Sequence, residues 1–239
     1  MNKDLIKKRY KEKIKLINHF NKKYFDENIS EVSDAKFDKL KNEIFLLEKK
    51  YDFLKDKDSP SVKIGFKPSK SFKKFSHRVP MLSLGNAFHE EDLLNFEKRI
   101  VNYLDKKDET EIEYSAEPKI DGISASLSYS NGKFVKGLSR GDGKEGEDIT
   151  ENLRTIKDIP FLISKKDFPN DIEIRGEVFI QNSDFKKLSE KFANPRNAAS
   201  GSLRQKNSED TKKIPLKFIA YTYGYEKGLN AKNQSEFLK

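Results

Sequence analysis

The chain of 239 residues is long enough for one large domain or two small ones. Its longest apolar runs cover only a few residues, which excludes a membrane-spanning helix, and its N-terminus is charged at every second or third position, which predicts a cytoplasmic protein without a signal peptide. The absence of cysteine excludes a disulfide framework and any thiolate metal site. With 36% charged and 35% hydrophobic residues, the chain is expected to fold around a thin, aromatic-rich core.

The net charge of +9 lies entirely in the first third of the chain. Residues 1–75 contain 21 basic and 12 acidic side chains, whereas residues 76–239 contain 27 of each. A basic N-terminal region beside a neutral body favours an anionic partner such as a nucleic acid or a nucleotide. A lysine-rich, solvated helix surface is the alternative explanation for the same excess.

Two amphipathic helices are predicted at the N-terminus. Apolar residues from position 5 to about position 24 recur at steps of three and four, as on one face of a helix. The second helix is expected to have Ser33 as its N-cap and Asp34 in its first turn, and to keep the same period to Tyr51. We expect the two helices to form a hairpin.

The stretch over residues 55–75 has no sustained period, which predicts a domain boundary there. A short helix is expected over residues 90–104, followed by strands over 111–120, 123–130, 133–140, 172–180 and 216–225, and by the opening of a helix at 234–239. Asn131-Gly132 between two strands favours a type I′ hairpin turn. The predicted fold is α+β: a helical domain over residues 1–75, then a mixed or antiparallel domain over 76–239 that is not doubly wound.

Arginine is concentrated in residues 140–204, which hold five arginines and seven lysines against three and 33 elsewhere. A guanidinium binds phosphate through two parallel hydrogen bonds, so this segment indicates phosphate handling, with internal Arg–Glu pairs as the alternative. The five arginines are Arg140, Arg154, Arg175, Arg196 and Arg204.

Glycines at positions 141, 143 and 146 follow one of the predicted strands. Such a turn can bring backbone N–H groups close to an anion, although it matches neither the Walker A pattern nor GxGxxG opening a helix. An ordinary wide turn is the alternative.

The sequence Glu117-Pro118-Lys119-Ile120-Asp121-Gly122 places a lysine between two carboxylates at a predicted strand end. A lysine held in this way can act as an amine nucleophile. Attack needs the neutral amine, and because an unperturbed lysine has a pKa near 10.4, burial or a neighbouring cation such as a metal ion must favour it. Gly122 is expected to permit an unusual backbone conformation.

Lys119, Asp121 and Gly122 form a KxDG motif, which is similar to the nucleotidyl-lysine motif of covalent nucleotidyltransferases. Longer blocks narrow the resemblance to the bacterial NAD-dependent DNA ligases. They are HRVPMLSLGNAF (77–88), SRGDGKEGEDITENLRTIKDIP (139–160), EIRGEVFI (173–180) and FANPRNAASGSLRQ (192–205). The chain is identified as a member of that family from its first helix to its last residue.

The resemblance implies three successive phosphoryl transfers assisted by Mg²⁺. Lys119 would attack the α-phosphorus of NAD, which forms adenylyl-lysine and releases nicotinamide mononucleotide. The adenylate would pass to a DNA 5′-phosphate, and the adjacent 3′-hydroxyl would displace AMP. The implied partners are NAD and nicked double-stranded DNA, and the implied state is a monomer.

The resemblance also implies the residues that bind the adenosine half of NAD. Glu117 would contact the adenine and ribose side, Ser83 and Leu84 would line the pocket, and Asp121 of the motif would contribute to binding. Tyr221 would stack on the adenine, with a place in the core as its alternative.

Phosphate contacts are implied for Arg140, Arg196 and Arg204. Arg140 would contact the nucleotide, and the other two would act on phosphates, on the nicotinamide mononucleotide side or on nicked DNA. Glu177 would be a ribose contact or a metal-linked carboxylate, and its alternative is an ion pair within its strand.

The helical hairpin resembles the small domain with which this family binds nicotinamide mononucleotide, and Tyr24, Asp34 and Asp38 match its positions. Phe25 and Phe37 depart from the family, which usually has Tyr or His at the first position and Tyr at the second. Each lost polar group forfeits a hydrogen bond of about 0.5–1.5 kcal/mol, so weakened NAD use is expected. Phe37 also fits the apolar helix face, where it would simply pack.

The family's adenylation domain continues beyond residue 239 with a DGVVIK-like strand and a further lysine, so the chain is expected to be a truncated form. An alternative function is therefore a non-catalytic nucleotide- or DNA-binding remnant. An ATP- or GTP-using relative is disfavoured, because such enzymes lack the N-terminal hairpin.

Overall fold

The computed structural model describes residues 3–26, 31–62, 72–106 and 111–239, without the side chains of residues 24–26 and 34. The backbone divides into two units, one made of Met1–Met81 with Ile120–Lys239 and the other of Leu82–Lys119. Among the described residues, no helix combines the length and apolarity that a membrane crossing requires.

Eight helices occur in the described ranges. They are α1 (Lys3–Asp26), α2 (Asp34–Lys50), α3 (Glu90–Tyr103), α4 (Thr150–Leu153), α5 (Asn182–Phe185), α6 (Pro195–Leu203), α7 (Ser208–Lys212) and α8 (Gln234–Phe237). The strands are β1 (Lys74–Ser76), β2 (Ile123–Ser130), β3 (Lys133–Ser139), β4 (Glu145–Glu147), β5 (Asp171–Phe179) and β6 (Lys217–Lys227). The α+β prediction is confirmed.

Helices α1 and α2 form the predicted hairpin around a small apolar core. Ser33 caps α2 as expected, because its side chain accepts a hydrogen bond from the backbone N of Lys36 at 3.4 Å. The buried core residues are Ile6, Tyr10, Ile14, Ile17, Ile44 and Leu54. Tyr10 also donates its hydroxyl to Glu48 at 2.6 Å, which satisfies the polar end of a buried ring.

The main sheet has the strand order β3-β2-β5-β6, and each neighbouring pair is antiparallel. Strands β1 and β4 pair separately in a two-stranded sheet. The turn between β2 and β3 has φ of 49° at Asn131 and 75° at Gly132, the left-handed conformations of the predicted type I′ turn.

The predicted strand over residues 111–120 is wrong. These residues form no strand, and β2, which follows them, is already flanked by β3 and β5. Pro118 lacks a backbone N–H, so it could not have completed a ladder at this position. The alternation of apolar and polar residues over 111–120 indicates an extended backbone, but it does not identify a strand with which this segment could pair.

Alternating side chains give the main sheet one apolar face and one polar face. Ala125, Leu127 and Tyr129 of β2 are buried together with Leu153 of α4 and with Ala198 and Ala199 of α6. The residues that alternate with them on β2 are serines, and they lie opposite charged residues of β5: Ser124 opposite Glu177, Ser126 opposite Arg175 and Ser128 opposite Glu173. The polar face therefore holds buried charged groups within reach of one another.

Candidate active site

Glu177 anchors a buried polar cluster on this face. This residue is 8% exposed, and its Oε2 accepts a hydrogen bond from Ser124 Oγ at 2.8 Å. A carboxylate in this position can accept hydrogen bonds from the hydroxyl groups of a ligand, because its two oxygens together offer about four acceptor sites. The register of β2 and β5 places both residues directly opposite each other.

A β-bulge directs Tyr221 into the same cluster. Gly176 and Arg175 pair with Ala220 and Thr222, which leaves Tyr221 as the extra residue of β6. Burial raises the pKa of Tyr221, and the negative charge of Glu177 raises it further, whereas a hydrogen bond with Ser124 lowers it. The phenol is therefore neutral near neutral pH, and its ring lies beside the carboxylate.

Two arginines approach this cluster. Arg140 follows β3, and its backbone N donates to the Ser124 carbonyl at 3.3 Å. Burial lowers the pKa of Arg140, the nearby charge of Arg196 lowers it further, and Glu177 opposes both effects. Arg196 at the start of α6 forms an ion pair with Asp121 at 2.9 Å. The structure thus brings Asp121, Arg140, Arg196, Glu177 and Tyr221 together.

Gly122 of the KxDG motif is required for a different reason from the expected one. Its φ is not in the left-handed region. A Cβ at this position would instead lie 2.2 Å from the carbonyl oxygen of Val178 and 3.0 Å from Cγ of Glu177. Only glycine allows the chain to pass this close to β5 beside the buried carboxylate.

The remaining adenosine-side candidates lie in the other unit, Leu82–Lys119. Ser83, Leu84, Glu117 and Lys119 are exposed there, and Ser115 Oγ donates to Glu117 Oε1 at 3.1 Å.

Arg204 contacts an acidic residue that the sequence did not single out. Its Nε donates to Oε2 of Glu147 at 3.0 Å, and the side chain of Glu147 has no solvent exposure. The backbone N of Glu147 donates to Ser139 Oγ at 3.0 Å. Glu147 therefore orients Arg204, and its position in the EGE strand is the signal that could have revealed it.

Two of the five clustered arginines do not belong to the site. Arg154 forms an exposed i,i+3 ion pair with Glu151. Arg175 donates to the backbone carbonyls of Val79 and Pro80, so it holds the 79–80 segment against the sheet. The alternative of an internal Arg–Glu pair fits Arg154, whereas the carbonyl contacts of Arg175 match neither expectation.

His77 links the same segment to the loop after β3. Its backbone N donates to the Lys144 carbonyl at 2.8 Å, and its Nε2 lies 3.1 Å from the Arg140 carbonyl. Burial lowers the pKa of His77, and the positive charge of Arg175 lowers it further. The hydrogen bond to the Arg140 carbonyl and the negative charge of Glu173 raise it but do not outweigh burial. The neutral ring can then donate from Nε2 to the residue whose guanidinium enters the polar cluster.

Several backbone N–H groups of the glycine-rich loop donate to acceptors within or beside the loop. Asp142 Oδ1 accepts from the backbone N of Lys144 and of Glu145, both at 2.9 Å, and Gly143 N donates to the Arg140 carbonyl at 3.0 Å. Burial opposes ionisation of Asp142, but these backbone donors outweigh it and lower its pKa. The loop is accordingly the wide turn of the alternative, not an anion cradle.

Comparison with known proteins decides the family. A model described as the NAD-dependent DNA ligase adenylation domain matches residues 69–239. A second, described as the DNA ligase-like, N-terminal NAD+-binding domain, matches residues 3–65. The chain belongs to the NAD-dependent DNA ligase family.

This ligase-family chain is also similar in sequence to individual DNA ligases. It is 68% identical over 230 residues to a DNA ligase of Pelagibacter ubique (strain HTCC1062), which covers 96% of this chain and 34% of that protein. A DNA ligase of Parvibaculum lavamentivorans is 46% identical over 92% of this chain and 32% of its own length. A DNA ligase of Geotalea uraniireducens is 43% identical over 100% and 37%. The chain spans about a third of the length of the curated relatives that it matches.

The hairpin of this ligase-family chain carries the residues expected to bind nicotinamide mononucleotide. Asp38 is half-buried on α2, whereas the side chains of Tyr24, Phe25 and Asp34 lie outside the described part of the structure. Phe37 is half-buried and packs against the hairpin core. The packing alternative therefore accounts for the phenylalanine at position 37.

A magnesium ion fits this site only as an ion carried largely by the substrate. Within the described residues, no group of three or more His, Cys, Asp or Glu side chains could hold a metal. Mg²⁺ usually takes one or two carboxylates together with phosphate oxygens and water. Glu177 is the carboxylate suited to that role in the polar cluster.

Proposed function

We propose that this chain carries out the first chemical step of an NAD-dependent DNA ligase, the transfer of AMP from NAD to Lys119. The neutral Nζ attacks the α-phosphorus, a nitrogen–phosphorus bond forms, and the bond from that phosphorus to the bridging oxygen breaks. Nicotinamide mononucleotide leaves with the bridging oxygen and its electron pair, and the amine loses a proton. In the whole protein the adenylate then passes to the 5′-phosphate of nicked double-stranded DNA for sealing.

The polar cluster is the observation that carries this proposal. Arg140 and Arg196 bring two guanidinium groups to this cluster, and guanidinium groups suit an anionic phosphate. Tyr221 offers a ring for the adenine, and Glu177 offers an acceptor for a ribose hydroxyl. The cluster begins at Asp121, two residues after the proposed nucleophile.

The other roles follow from the family. Ser83, Leu84 and Glu117 are assigned to the adenosine half of NAD, and Arg204 to phosphate of NAD or of DNA. Tyr24, Asp34 and Asp38 bind nicotinamide mononucleotide. Mg²⁺, when bound with the phosphates, neutralises charge during transfer. A monomer in the cytoplasm remains the prediction for the setting of this reaction.

Intact mass spectrometry after incubation with NAD and Mg²⁺ tests the proposal. We expect the mass of one AMP to be added, and peptide mapping to locate it at Lys119. Lys119→Arg is expected to abolish the adduct, whereas Lys133→Arg, a matched change at an exposed lysine of β3, leaves it intact. ATP in place of NAD is expected to give no adduct.

A non-catalytic binding module is the second candidate, and the nine basic side chains of α1, against three acidic ones, favour it. It predicts NAD binding without an adduct, together with salt-dependent retention on DNA that Lys119→Ala leaves unchanged. An adduct at Lys119 would eliminate this candidate. Normal NAD affinity without an adduct would instead eliminate the first.

A further inference from the structure

Helix α1 carries most of the uncompensated charge of the hairpin. It contains nine basic and three acidic side chains over 24 residues. Helix α2 contains five basic and four acidic side chains. Helix α1 therefore carries a net charge of +6, and most of the remaining excess over residues 1–75 lies in the lysines that follow α2.

Four exposed lysines of α1 form a straight row, here called the lysine stripe: Lys8, Lys11, Lys15 and Lys22. At 3.6 residues per turn they fall within an arc of about 60° and extend over about 21 Å of helix. The side of α1 that is turned toward α2 carries the buried core residues, whereas the stripe points to solvent.

Few neighbouring charges neutralise the stripe. Among the described residues, no ion pair involves any of its four lysines, whereas Lys13 on a different side of α1 is paired with Glu43. Asp4 lies on the stripe's side at the N-terminal end of the helix, and Glu12 lies at its margin. The stripe consequently presents a line of positive charge to solvent.

We propose that the lysine stripe binds the phosphate backbone of double-stranded DNA. Duplex DNA carries a negative charge for about every 1.7 Å of its axis, so a row of about 21 Å faces many phosphates at once. The two phosphates of a dinucleotide are adjacent and could engage only one or two of these lysines. Flexible ammonium groups suit backbone contacts that are independent of sequence. The choice of DNA rests on the proposed ligase function, and the assignment gives the hairpin a second role besides nucleotide binding.

Fluorescence anisotropy with a labelled, nicked duplex at several salt concentrations tests this surface. The variant replaces all four stripe lysines with glutamine, which keeps nearly the same helix propensity. We expect binding to weaken by about tenfold or more, and the slope of log affinity against log salt to fall by about three to four. The helical circular dichroism signal verifies that the hairpin remains folded.

The matched control replaces Lys165, Lys166, Lys186 and Lys187 with glutamine. These lysines are also exposed, so the control changes the net charge equally at a different place. We expect it to weaken DNA binding by less than about threefold. Equal losses in the two variants would overturn the proposal, and so would binding to single-stranded RNA of the same length without binding to the duplex.

The AMP adduct on Lys119 separates this inference from the proposed function. The stripe variant should form the adduct as the unsubstituted chain does, because none of the four lysines has been placed in the nucleotide site. Undiminished duplex affinity in a variant that still forms the adduct would refute the stripe alone. A missing adduct in both chains would refute the proposed chemistry and leave the DNA measurement independent.

Discussion

At the scale of single residues, Glu147 is a carboxylate without solvent contact whose burial depends on Arg204. The two side chains are joined by a hydrogen bond of 3.0 Å, and the arginine is 27% exposed. A buried charge that loses its partner is costly, whereas an apolar replacement of the whole pair is often tolerated. The pair therefore ties the position of a proposed phosphate-binding group to the stability of the fold.

Replacing Arg204 with methionine is expected to lower the free energy of unfolding by about 3–5 kcal/mol, because the buried Glu147 loses the guanidinium that contacts it. Adding Glu147→Leu should recover part of that loss. Urea denaturation measures both changes. As a control, Arg154→Met removes an exposed pair with Glu151 and should cost less than about 1 kcal/mol. A loss at Arg204 as small as that at Arg154 would contradict the role given to the buried carboxylate.

His77 is expected to make stability sensitive to mild acid. Burial lowers its pKa in the folded chain, so the unfolded chain binds a proton first as the pH falls. The free energy of unfolding should decline below about pH 6.5, the ordinary pKa of histidine, and His77→Gln should remove part of that decline. Denaturation at pH 7.5 and 5.5 checks it. A decline that His77→Gln leaves unchanged would contradict this role of His77.

Sequence reasoning reached the cluster residues through different signals. Family resemblance identified Arg140, Glu177 and Tyr221, whereas residue type alone overestimated Arg175, which contacts backbone carbonyls. The alternation of charged and apolar residues over 173–179 could have revealed the polar face of β5. His77 carried no periodic signal, because its role depends on a contact with Arg140, 63 residues away.

At the scale of elements, turns and bulges determine where the side chains point. Asn131-Gly132 was predictable because its two left-handed residues have a strong local signature. The bulge at Tyr221 was not, since the pairing of β6 with β5 has no counterpart in the local sequence of β6. The helices α1 and α2 were recognised from period alone, whereas residues 111–120 had a strand-like pattern without a partner.

Gly132→Ala is expected to destabilise the sheet for two separable reasons. A left-handed φ costs an alanine about 1–2 kcal/mol, and a Cβ here would lie 2.2 Å from the carbonyl oxygen of Ile163. Gly228 has φ of +90° and nothing within 4 Å of a Cβ, so Gly228→Ala reports the conformational cost alone. Thermal unfolding should show that Gly132→Ala lowers the free energy of unfolding by about 1–3 kcal/mol more than Gly228→Ala does. Equal losses would mean that the loop at Ile163 yields without cost.

At the scale of the whole molecule, the described residues contain two separate apolar clusters. One lies between α1 and α2, and the other lies under the main sheet. Each cluster has its own fully buried side chains, such as Ile17 in the first and Leu153 in the second. Such clusters are expected to open as separate cooperative units.

Hydrogen exchange on single-site variants tests this separation. Ile17→Ala should lower the protection of α1 and α2 by about 2–5 kcal/mol and leave the sheet amides nearly unchanged. Leu153→Ala is the reciprocal variant and should lower protection in β2, β3 and β5 while sparing the hairpin. A uniform loss of protection in either variant would mean that the two clusters unfold together.

The contact between Arg175 and the 79–80 segment bears on which positions can vary during evolution. The guanidinium donates only to backbone carbonyl oxygens there. Because every residue supplies a carbonyl oxygen, many side chains should be acceptable at position 79. At Gly224 a Cβ would lie 2.7 Å from the guanidinium, so a side chain there would displace Arg175 from the carbonyls that it contacts. Drift at 79 should therefore be silent, while a change at 224 would need a compensating change at 175 to persist.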